Sequence, residues 1–487
     1  MAVTATTRTR ADVLRPNATA FGYAAFLAVN AAGTWGGVFP FLPLKLQDPP
    51  LLLWFSAAQS LIFALCFFAS MLEAYVAPQL TRRFIVRASA LPYFAGWACL
   101  IAAMYLDGAV VPLMVAAGIL IGAGSAGFYL LWQRLFASQP ADEGTRNLIT
   151  GTACASLLYF ALYLIPRAVT VYLIPLVITP FFAPAIALQS RAIDLNQPMF
   201  NDEPRRNPQV YRQTAHLLVR PALCIGSLAL CAGLVRALAI EDPTVGSFVN
   251  VLSMAASLAA AAVFLVLWQA KGVRLNVVSL FRVVFPVVIT CFVALPFLGV
   301  GYARWLAALL YAAYSVAIML MMIQCAQLSR DRGTNPLFVY GLFGGIVYGL
   351  HDAGFLGAAL AEVPSIPGLG TYAIVALGAV YLLGFMYFFG QGGFRQAVRR
   401  SSFSSTDVEL VPPATEPPTA PAETAERDSG KPRAEKQREP ERNETNFPDR
   451  LSIQVAAVRR AFGLSAREAE VVEHLAGGRP WLALPRS

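Results

Sequence analysis

Charged side chains are scarce in this chain, and those that occur are unevenly spread. Asp, Glu, Lys and Arg make up only 13% of the 487 residues, whereas hydrophobic residues make up 57%. This composition excludes an ordinary soluble protein. Half of the 28 acidic residues lie beyond residue 400, so the chain divides into an apolar body and a polar tail. We therefore expect the body to be embedded in a lipid bilayer.

The sequence also lacks the patterns of catalytic, nucleotide and metal sites. Its three histidines, His216, His351 and His474, are too far apart in the sequence to indicate a triad or a zinc protease motif. The seven cysteines lie in apolar runs without a CxxC, which excludes a disulfide framework and a zinc site. The one GxGxxG match, at 122–127, lies inside an apolar run rather than after a strand. We expect no enzyme activity, no catalytic residues, no cofactor and no metal.

Long apolar runs dominate the remainder of the body. A hydrocarbon core of ~30 Å requires about 20 apolar residues per helix. The runs are too continuously apolar for the alternating strands of an outer-membrane barrel. The sequence therefore predicts an all-α protein with twelve membrane-spanning helices, at 19–43, 51–76, 89–106, 109–132, 148–165, 168–188, 217–240, 246–269, 283–301, 305–328, 336–359 and 368–390.

The basic residues between the runs predict the orientation in the cell membrane. With the N-terminus inside, seventeen Lys and Arg residues lie on the cytoplasmic side and only Lys45, Arg167 and Arg304 on the other. Such an excess is typical of cytoplasmic loops. We expect a multi-pass protein whose N- and C-termini are both cytoplasmic.

The longest internal loop divides the body into two halves. It covers residues 189–216 and separates a first half, 19–188, from a second half, 217–390, with residues 1–18 as a cytoplasmic N-terminus. Six helices on either side of a cytoplasmic loop resemble the layout of major-facilitator-like transporters. The loop at 79–84 lacks the glycines and aspartate of the usual facilitator signature.

Three ionisable residues lie within the predicted spans and are candidates for a ligand site. A charge at the bilayer centre costs at least ~2.5–3.5 kcal/mol, and the sequence places Arg236 in the seventh span and His351 and Asp352 in the eleventh. One interpretation is a polar site for an anionic or aromatic small molecule. The alternative is that Arg236 reaches toward Glu241 and Asp242. In that case Asp352 caps a local bend.

Glycines at helical spacing predict close approaches between helices. Gly341, Gly345 and Gly349 recur every four residues in the eleventh span, and Gly118 and Gly122 do so in the fourth. Removing side chains from one helix face lets a neighbouring helix pack closely or slide. Packing is the more common use of such a face.

The tail begins with a segment that we expect to be a disordered cytoplasmic linker, 391–448. It is rich in Ser, Thr, Pro and Glu and has few residues that could form a core. Helical periodicity returns in the segment 449–487, where Leu451, Val455, Val458 and Phe462 form one apolar stripe. Ser465 and Glu468 then form an S-x-x-E capping box, which predicts the start of a second helix.

This second helix resembles the opening of a LuxR-type helix-turn-helix domain, whose first helix reads L-[ST]-x-R-E-x-E-V. The residues that carry the resemblance are Leu464, Ser465, Arg467, Glu468, Glu470, Val471, Val472, Leu475, Ala476 and Gly478. With twelve spans in front, the whole chain resembles the membrane-embedded LuxR-family regulators. The resemblance implies a transcriptional regulator with a transporter-like sensor body.

The segment departs from that family after its first helix. Only nine residues follow Gly478, so the recognition helix that enters the DNA major groove is missing. We expect a truncated helix-turn-helix that has lost DNA binding; DNA would be a partner, and a homodimer the natural state, only for a complete domain. Two functions stay open: a membrane sensor and regulator of LuxR type, or a transporter-like permease with a relic tail.

Overall fold

The computed structural model describes most of the apolar body and one segment of the tail. Its residues cluster into two compact units, Met1–Pro417 and Pro418–Ser487, and all described residues belong to the first. The described residues are 17–32, 46–191, 193, 197–201, 204–205, 207–241, 243–270, 273–360, 371–390 and 407–410.

The described residues of the first half form six helical segments. Helix α1 begins where the side chain of Asn17 accepts a hydrogen bond from the backbone N–H of Ala20. Helices α2 and α3 each begin with proline, which is compatible with the first turn of a helix because its missing N–H has no partner there. The segments are α1 Ala18–Asn30, α2 Pro49–Val76, α3 Pro78–Tyr105, α4 Val110–Ser138, α5 Ala141–Leu162 and α6, which joins Arg167–Leu173, a π-helical turn Ile174–Ile178 and Thr179–Arg191.

The described residues of the second half form five long helical elements. After a short helix at Pro198–Asn201 they are α7 Pro208–Glu241, α8 Pro243–Ala270, α9 Val277–Arg332, α10 Pro336–Leu360 and α11 Thr371–Gly390. Gly333 takes a positive φ of 56° after α9, the conformation with which glycine commonly ends a helix. The elements α10 and α11 correspond to the eleventh and twelfth predicted spans.

Helix α9 covers two predicted spans, 283–301 and 305–328, in one element of 56 residues. The Tyr302 hydroxyl donates a hydrogen bond of 3.2 Å to the carbonyl of Cys291, eleven residues earlier. Eleven residues of straight helix rise about 16 Å, which is farther than a tyrosine side chain reaches, so α9 must bend sharply between them. Its apolar limbs, Val283–Leu298 and Gly301–Arg332, therefore account for the two spans.

The helix contacts repeat between the two halves. In the first half α1 packs on α5 and α2 on α4, and in the second half α7 packs on α10 and α8 on α9. The halves meet through α2 against α10 and through α5 against α8. This pattern is what two related six-helix halves produce when a pseudo-two-fold axis exchanges them. The division into a first half and a second half stays a prediction.

Apolar side chains cover the outside of the helical body. Leu164, Phe297 and Tyr381 are among the most exposed, with 87%, 83% and 79% of their surface accessible. Seven helices of the described chain are long and apolar enough to cross a membrane, and three shorter apolar helices accompany them. A soluble protein would not leave so much contiguous apolar surface in water. The predicted fold class is confirmed: the chain is an all-α, multi-pass membrane protein.

Several predicted boundaries differ from the structure. The predicted loop 189–216 is shorter, because α6 continues to Arg191 and α7 already begins at Pro208. Apolar runs mark where a helix lies in hydrocarbon, whereas backbone hydrogen bonding continues into the polar flanks. The sequence pattern therefore underestimates helix length at the membrane surface.

A short β-ribbon interrupts the predicted linker 391–448. Strand β1, Val273–Asn276, pairs antiparallel with strand β2, Asp407–Leu410, and the register places Arg274 opposite Glu409. Both segments alternate between apolar and polar residues, the pattern of a strand. The other residues of the linker and the predicted helix pair, 449–487, lie outside the described residues.

Candidate functional site

Two glycines bring the backbones of α7 and α10 into direct contact. A side chain on Gly233 would overlap the carbonyl of His351, and a side chain on Gly354 would overlap the carbonyl of Leu230. Helices approach this closely only where small residues face each other. The contact lies one turn from Arg236, so it brings Arg236 close to His351 and Asp352.

A polar cavity opens beside this contact, and the empty space in and around it, including open solvent, is about 360 Å³. Helices α2 and α4 of the first half and α7 and α10 of the second half line it. All three ligand residues predicted from the sequence are among its lining residues, which are Gln59, Ser60, Phe63, Ser125, Arg236, Tyr348, His351 and Asp352. The cavity therefore lies at the interface of the two halves.

Two tyrosines of α9 hold the imidazole of His351. The Tyr311 hydroxyl lies 3.3 Å from Nε2, and the ring of Tyr314 stacks on the imidazole at 5.8 Å between centroids and 17° between planes. On its other side Nδ1 lies 3.5 Å from Oδ1 of Asp352. The imidazole thus has contacts at both ring nitrogens and on one face, which restrict its rotation.

Arg236 is buried and lies against an aromatic ring. Only 5% of its surface is exposed, and the guanidinium carbon lies 4.9 Å from the centroid of the Phe355 ring. A cation over an aromatic face recovers part of the solvation lost on burial. The guanidinium of Arg236 therefore lies within the helical body. The ionisable partner within 3.5 Å of Asp352 is His351.

Three buried oxygen atoms in the polar cavity have no hydrogen-bond partner among the described residues. They are Oδ2 of Asp352, Oε1 of Gln59 and Oγ of Ser60, and each residue is more than nine-tenths buried. A buried polar atom left unpaired costs about 1–3 kcal/mol, and more when it is charged. Sequence reasoning missed Gln59 and Ser60, although two adjacent polar residues in an apolar run are a signal that could have identified them.

A second, larger cavity lies between the same halves. The empty space in and around it, including open solvent, is about 690 Å³, and residues in or next to α1, α4, α5, α8 and α9 line it. None of these described lining residues is charged; they are Tyr23, Leu27, Ala31, Tyr129, Thr152, Asn250, Ser253, Met254, Ser257, Tyr311, Tyr314, Ser315, Ile318, Met319 and Met322. Two of these residues, Tyr311 and Tyr314, also contact His351 of the polar cavity.

The halves are joined at the face that is predicted to be cytoplasmic. Nη1 of Arg330, near the end of α9, donates to the carbonyl of Phe136 at 2.9 Å and to that of Gln139 at 3.2 Å, both at the end of α4. Gln133 of α4 also donates to the carbonyl of Met322 at 3.2 Å. A cation at the C-terminus of a helix interacts favourably with the helix dipole. These contacts close that face of the interface.

A further contact joins the halves nearer the opposite face. The side-chain amide of Asn250 in α8 donates to the carbonyl of Ala31 at 2.8 Å, directly after α1. Ser125 of α4 donates to Oδ1 of Asn30 at 3.0 Å. The end of α1 is therefore tied to both halves.

The glycines of the eleventh span face α2. Added side chains at Gly341 and Gly345 would meet Phe67 and Phe68 at 2.9 and 2.8 Å, and one at Gly349 would meet Phe68 at 3.5 Å. This is the surface through which the second half packs on the first.

The glycines of the fourth span face another part of α2. An added side chain at Gly118 or Gly122 would overlap the carbonyl of Phe55 or of Gln59. The approach of α4 at this point holds α2 in place beside the polar cavity. Helix α4 is continuous through the GxGxxG match, since it runs from Val110 to Ser138.

The helix-turn-helix residues, Leu464 to Gly478, lie outside the described residues, and their role stays a prediction.

No family model matches the chain, and no curated protein matches it. Among solved structures, it is similar to a bacterial homologue of the iron transporter ferroportin in an outward-facing state, with and without soaked iron. Both have a TM-score of 0.49 and 15% identity over 79% of this chain, and cover 99% and 100% of their own chains.

Proposed function

We propose that the chain is a transporter-like permease that binds a small polar molecule in the polar cavity and exposes it in turn to the two sides of the membrane. The observation that carries this proposal is the cavity itself. Both halves contribute to it, and it contains buried ionisable residues together with three unpartnered oxygen atoms. A site at the interface of two halves changes its access when the halves rock against each other.

The energetics favour a functional rather than a structural use of these groups. Each ionisable residue at membrane depth costs at least ~2.5–3.5 kcal/mol, and apolar residues of the same size would pack without that cost. A bound polar molecule would offset it by hydrogen bonding to the oxygen atoms of Gln59, Ser60 and Asp352. The second cavity extends the apolar and hydroxyl-lined space between the halves.

The sensor function uses the same binding site but a different output. In a LuxR-type regulator, ligand binding would be passed through the linker to the segment 449–487, and no solute would cross the membrane. The residues that carry this alternative lie outside the described residues, so it is kept only as the competing outcome of the transport test.

Transport can be tested with the full chain reconstituted in lipid vesicles. Vesicles are incubated with a defined mixture of amino acids, carboxylic acids and amines, and their contents are measured by mass spectrometry. We expect at least one solute to enter faster than into protein-free vesicles. The rate should fall at least about tenfold in Asp352→Asn. Asp107→Asn, the same change at an exposed residue between α3 and α4, should leave the rate unchanged.

Two results would contradict transport. Binding of a solute without entry would favour the sensor function, and entry that is equal in Asp352→Asn and in the unmodified chain would remove the polar cavity from the pathway. The amount of each variant in the vesicles is measured by immunoblot, so a lower rate is not mistaken for lower incorporation.

A further inference from the structure

We propose that the second cavity binds a neutral aromatic molecule that carries a hydroxyl or N–H donor. The second cavity and the polar cavity share no described lining residue, so this is a separate site. Binding there does not depend on whether the chain transports a solute. The inference follows from three properties of the cavity wall: its lack of charge, its aromatic rings and thioethers, and the oxygen atoms of its hydroxyl groups.

The wall of the second cavity carries no charge among its described residues. His351, which contacts Tyr311 and Tyr314, lines the polar cavity instead. A charged ligand would lose hydration on entering the second cavity and would meet no opposite charge in its wall, which is strongly unfavourable. A neutral molecule does not have this cost.

Aromatic rings and thioethers make up a large part of the wall. Its four tyrosines and three methionines are Tyr23, Tyr129, Tyr311, Tyr314, Met254, Met319 and Met322. A ring placed among these side chains gains edge-to-face contacts with other rings and contacts with polarisable sulfur atoms. An aliphatic chain of the same size gains neither contact, so the wall favours an aromatic ligand.

Packing and hydrogen bonds fix several of these side chains. The Tyr23 ring packs edge-on against Trp132 at 5.5 Å between centroids, and its hydroxyl donates to Sδ of Met322 at 3.3 Å. The rings of Tyr311 and Tyr314 are T-shaped at 6.3 Å between centroids. Side chains that are already ordered lose little conformational entropy when a ligand binds, which raises its affinity.

Two hydroxyl groups of the wall have already used their protons. Thr152 donates to the carbonyl of Leu148 at 2.8 Å, and Ser257 donates to the carbonyl of Ser253 at 3.0 Å. The side chain of Thr152 also lies beside that of Tyr23. A hydroxyl group whose proton is bonded keeps its oxygen atom as an acceptor with two lone pairs. The wall therefore favours a ligand that brings a donor.

Thermal stabilisation of the full chain in detergent tests this inference with four probes that share one ring system. They are 2-naphthol, 2-methoxynaphthalene, 2-naphthoate and 2-naphthylmethylammonium. Dialysis sets the free concentration of each probe, so that partitioning into micelles does not enter the comparison. We expect 2-naphthol to bind at least about tenfold more tightly than the two ions. It should bind severalfold more tightly than 2-methoxynaphthalene, which has no donor.

A cavity-filling variant places the bound probe in the second cavity. Ser257→Leu adds volume at a lining position and should weaken binding of 2-naphthol at least about tenfold. Ser247→Leu makes the same change in the same helix, α8, at a residue that does not line the cavity. It should bind 2-naphthol as the unmodified chain does.

Two smaller changes test the hydrogen bond to the donor. Thr152→Val and Ser257→Ala each remove one acceptor, and at least one of them should weaken binding of 2-naphthol severalfold while leaving that of 2-methoxynaphthalene unchanged. Thr150→Val is the matched control, because the Thr150 hydroxyl donates to the carbonyl of Arg146 in the same way, at 2.7 Å, outside the lining. Melting temperatures without a probe are compared first; if Ser257→Leu does not fold, the smaller changes carry the test.

Four results would overturn the inference. They are no saturable stabilisation by 2-naphthol, equal affinity for either ion, equal affinity for 2-methoxynaphthalene, and unchanged binding in every variant of the cavity wall. Stabilisation by 2-naphthol without entry of any solute into vesicles would keep this inference and contradict transport. Entry of a solute that Asp352→Asn slows, without stabilisation by 2-naphthol, would do the reverse.

Discussion

Replacing Arg330 by alanine removes the side chain that joins the end of α9 to the end of α4. One nitrogen of its guanidinium donates to two carbonyls, at 2.9 and 3.2 Å. A hydrogen bond to a charged group contributes ~1.5–3 kcal/mol, and water replaces part of it when the side chain is removed. We therefore expect the free energy of opening this face to fall by about 2–4 kcal/mol. This corresponds to about a 30- to 1000-fold larger open population.

The opening can be measured as the labelling rate of a buried thiol. Ser329 precedes Arg330 in α9 and has no exposed surface. A Ser329→Cys chain, in which the seven native cysteines are replaced, is treated in detergent with a bulky charged thiol reagent. If opening is faster than labelling, the rate is proportional to the open population. Arg330→Ala should then raise the rate by the same factor, and Arg330→Lys by less, since it keeps the charge.

Arg332→Ala is the matched control for this experiment. It removes the same charge two residues further along, where the structure shows no hydrogen bond from Arg332 to the described residues of α4. Its labelling rate should equal that of the unmodified chain. If Arg330→Ala also leaves the rate unchanged, while the melting temperature shows that the variant is folded, the Arg330 contact does not hold this face closed.

The remaining predictions concern helix packing and the ligand site. Gly354→Ala should destabilise the chain by about 1–3 kcal/mol in thermal unfolding, because the added methyl group overlaps a backbone carbonyl of α7; Gly357→Ala, with no atom within 4 Å of the added carbon, should be neutral or slightly stabilising. Asn250→Ala should lower stability by about 0.5–1.5 kcal/mol, measured in the same assay, because it removes a hydrogen bond between the halves; an unchanged melting temperature would show that water replaces the bond. Tyr311→Phe should slow solute entry severalfold in the vesicle assay, since His351 loses the hydroxyl that orients it; an equal rate would assign the orientation to Tyr314 alone.

Hydropathy was sufficient to predict most of the fold. The described part of each predicted span lies largely within a helix, because a helix in hydrocarbon must satisfy its backbone internally and be apolar on its outside. Boundaries at the membrane surface were less accurate, as the earlier start of α7 at Pro208 shows. The bend in α9 was implied by Arg304 between two apolar runs, whereas the β-ribbon was missed because its strands of four residues are too short to stand out in the sequence.

The sequence indicated some of the residues of the candidate site. It indicated Arg236, His351 and Asp352 because an ionisable residue in an apolar run costs free energy in hydrocarbon wherever it lies. This reasoning requires no knowledge of contacts. Gln59 and Ser60 carry no charge and therefore gave a weaker signal. The contact of 3.5 Å between His351 and Asp352 gave no signal in the sequence, since adjacent residues on one helix meet at short range only when a neighbouring helix orients them.

The sequence by itself determined that the chain is a multi-pass helical membrane protein and which residues of its apolar runs carry charge, because these properties depend on the local cost of placing each side chain in hydrocarbon. Only the tertiary structure decided which of the charged residues share a cavity, that two neutral residues of α2 complete it, and that Arg330 joins the two halves. Those features depend on contacts between residues more than a hundred positions apart. Glycine faces and helix crossings create these contacts, and no local sequence pattern predicts them.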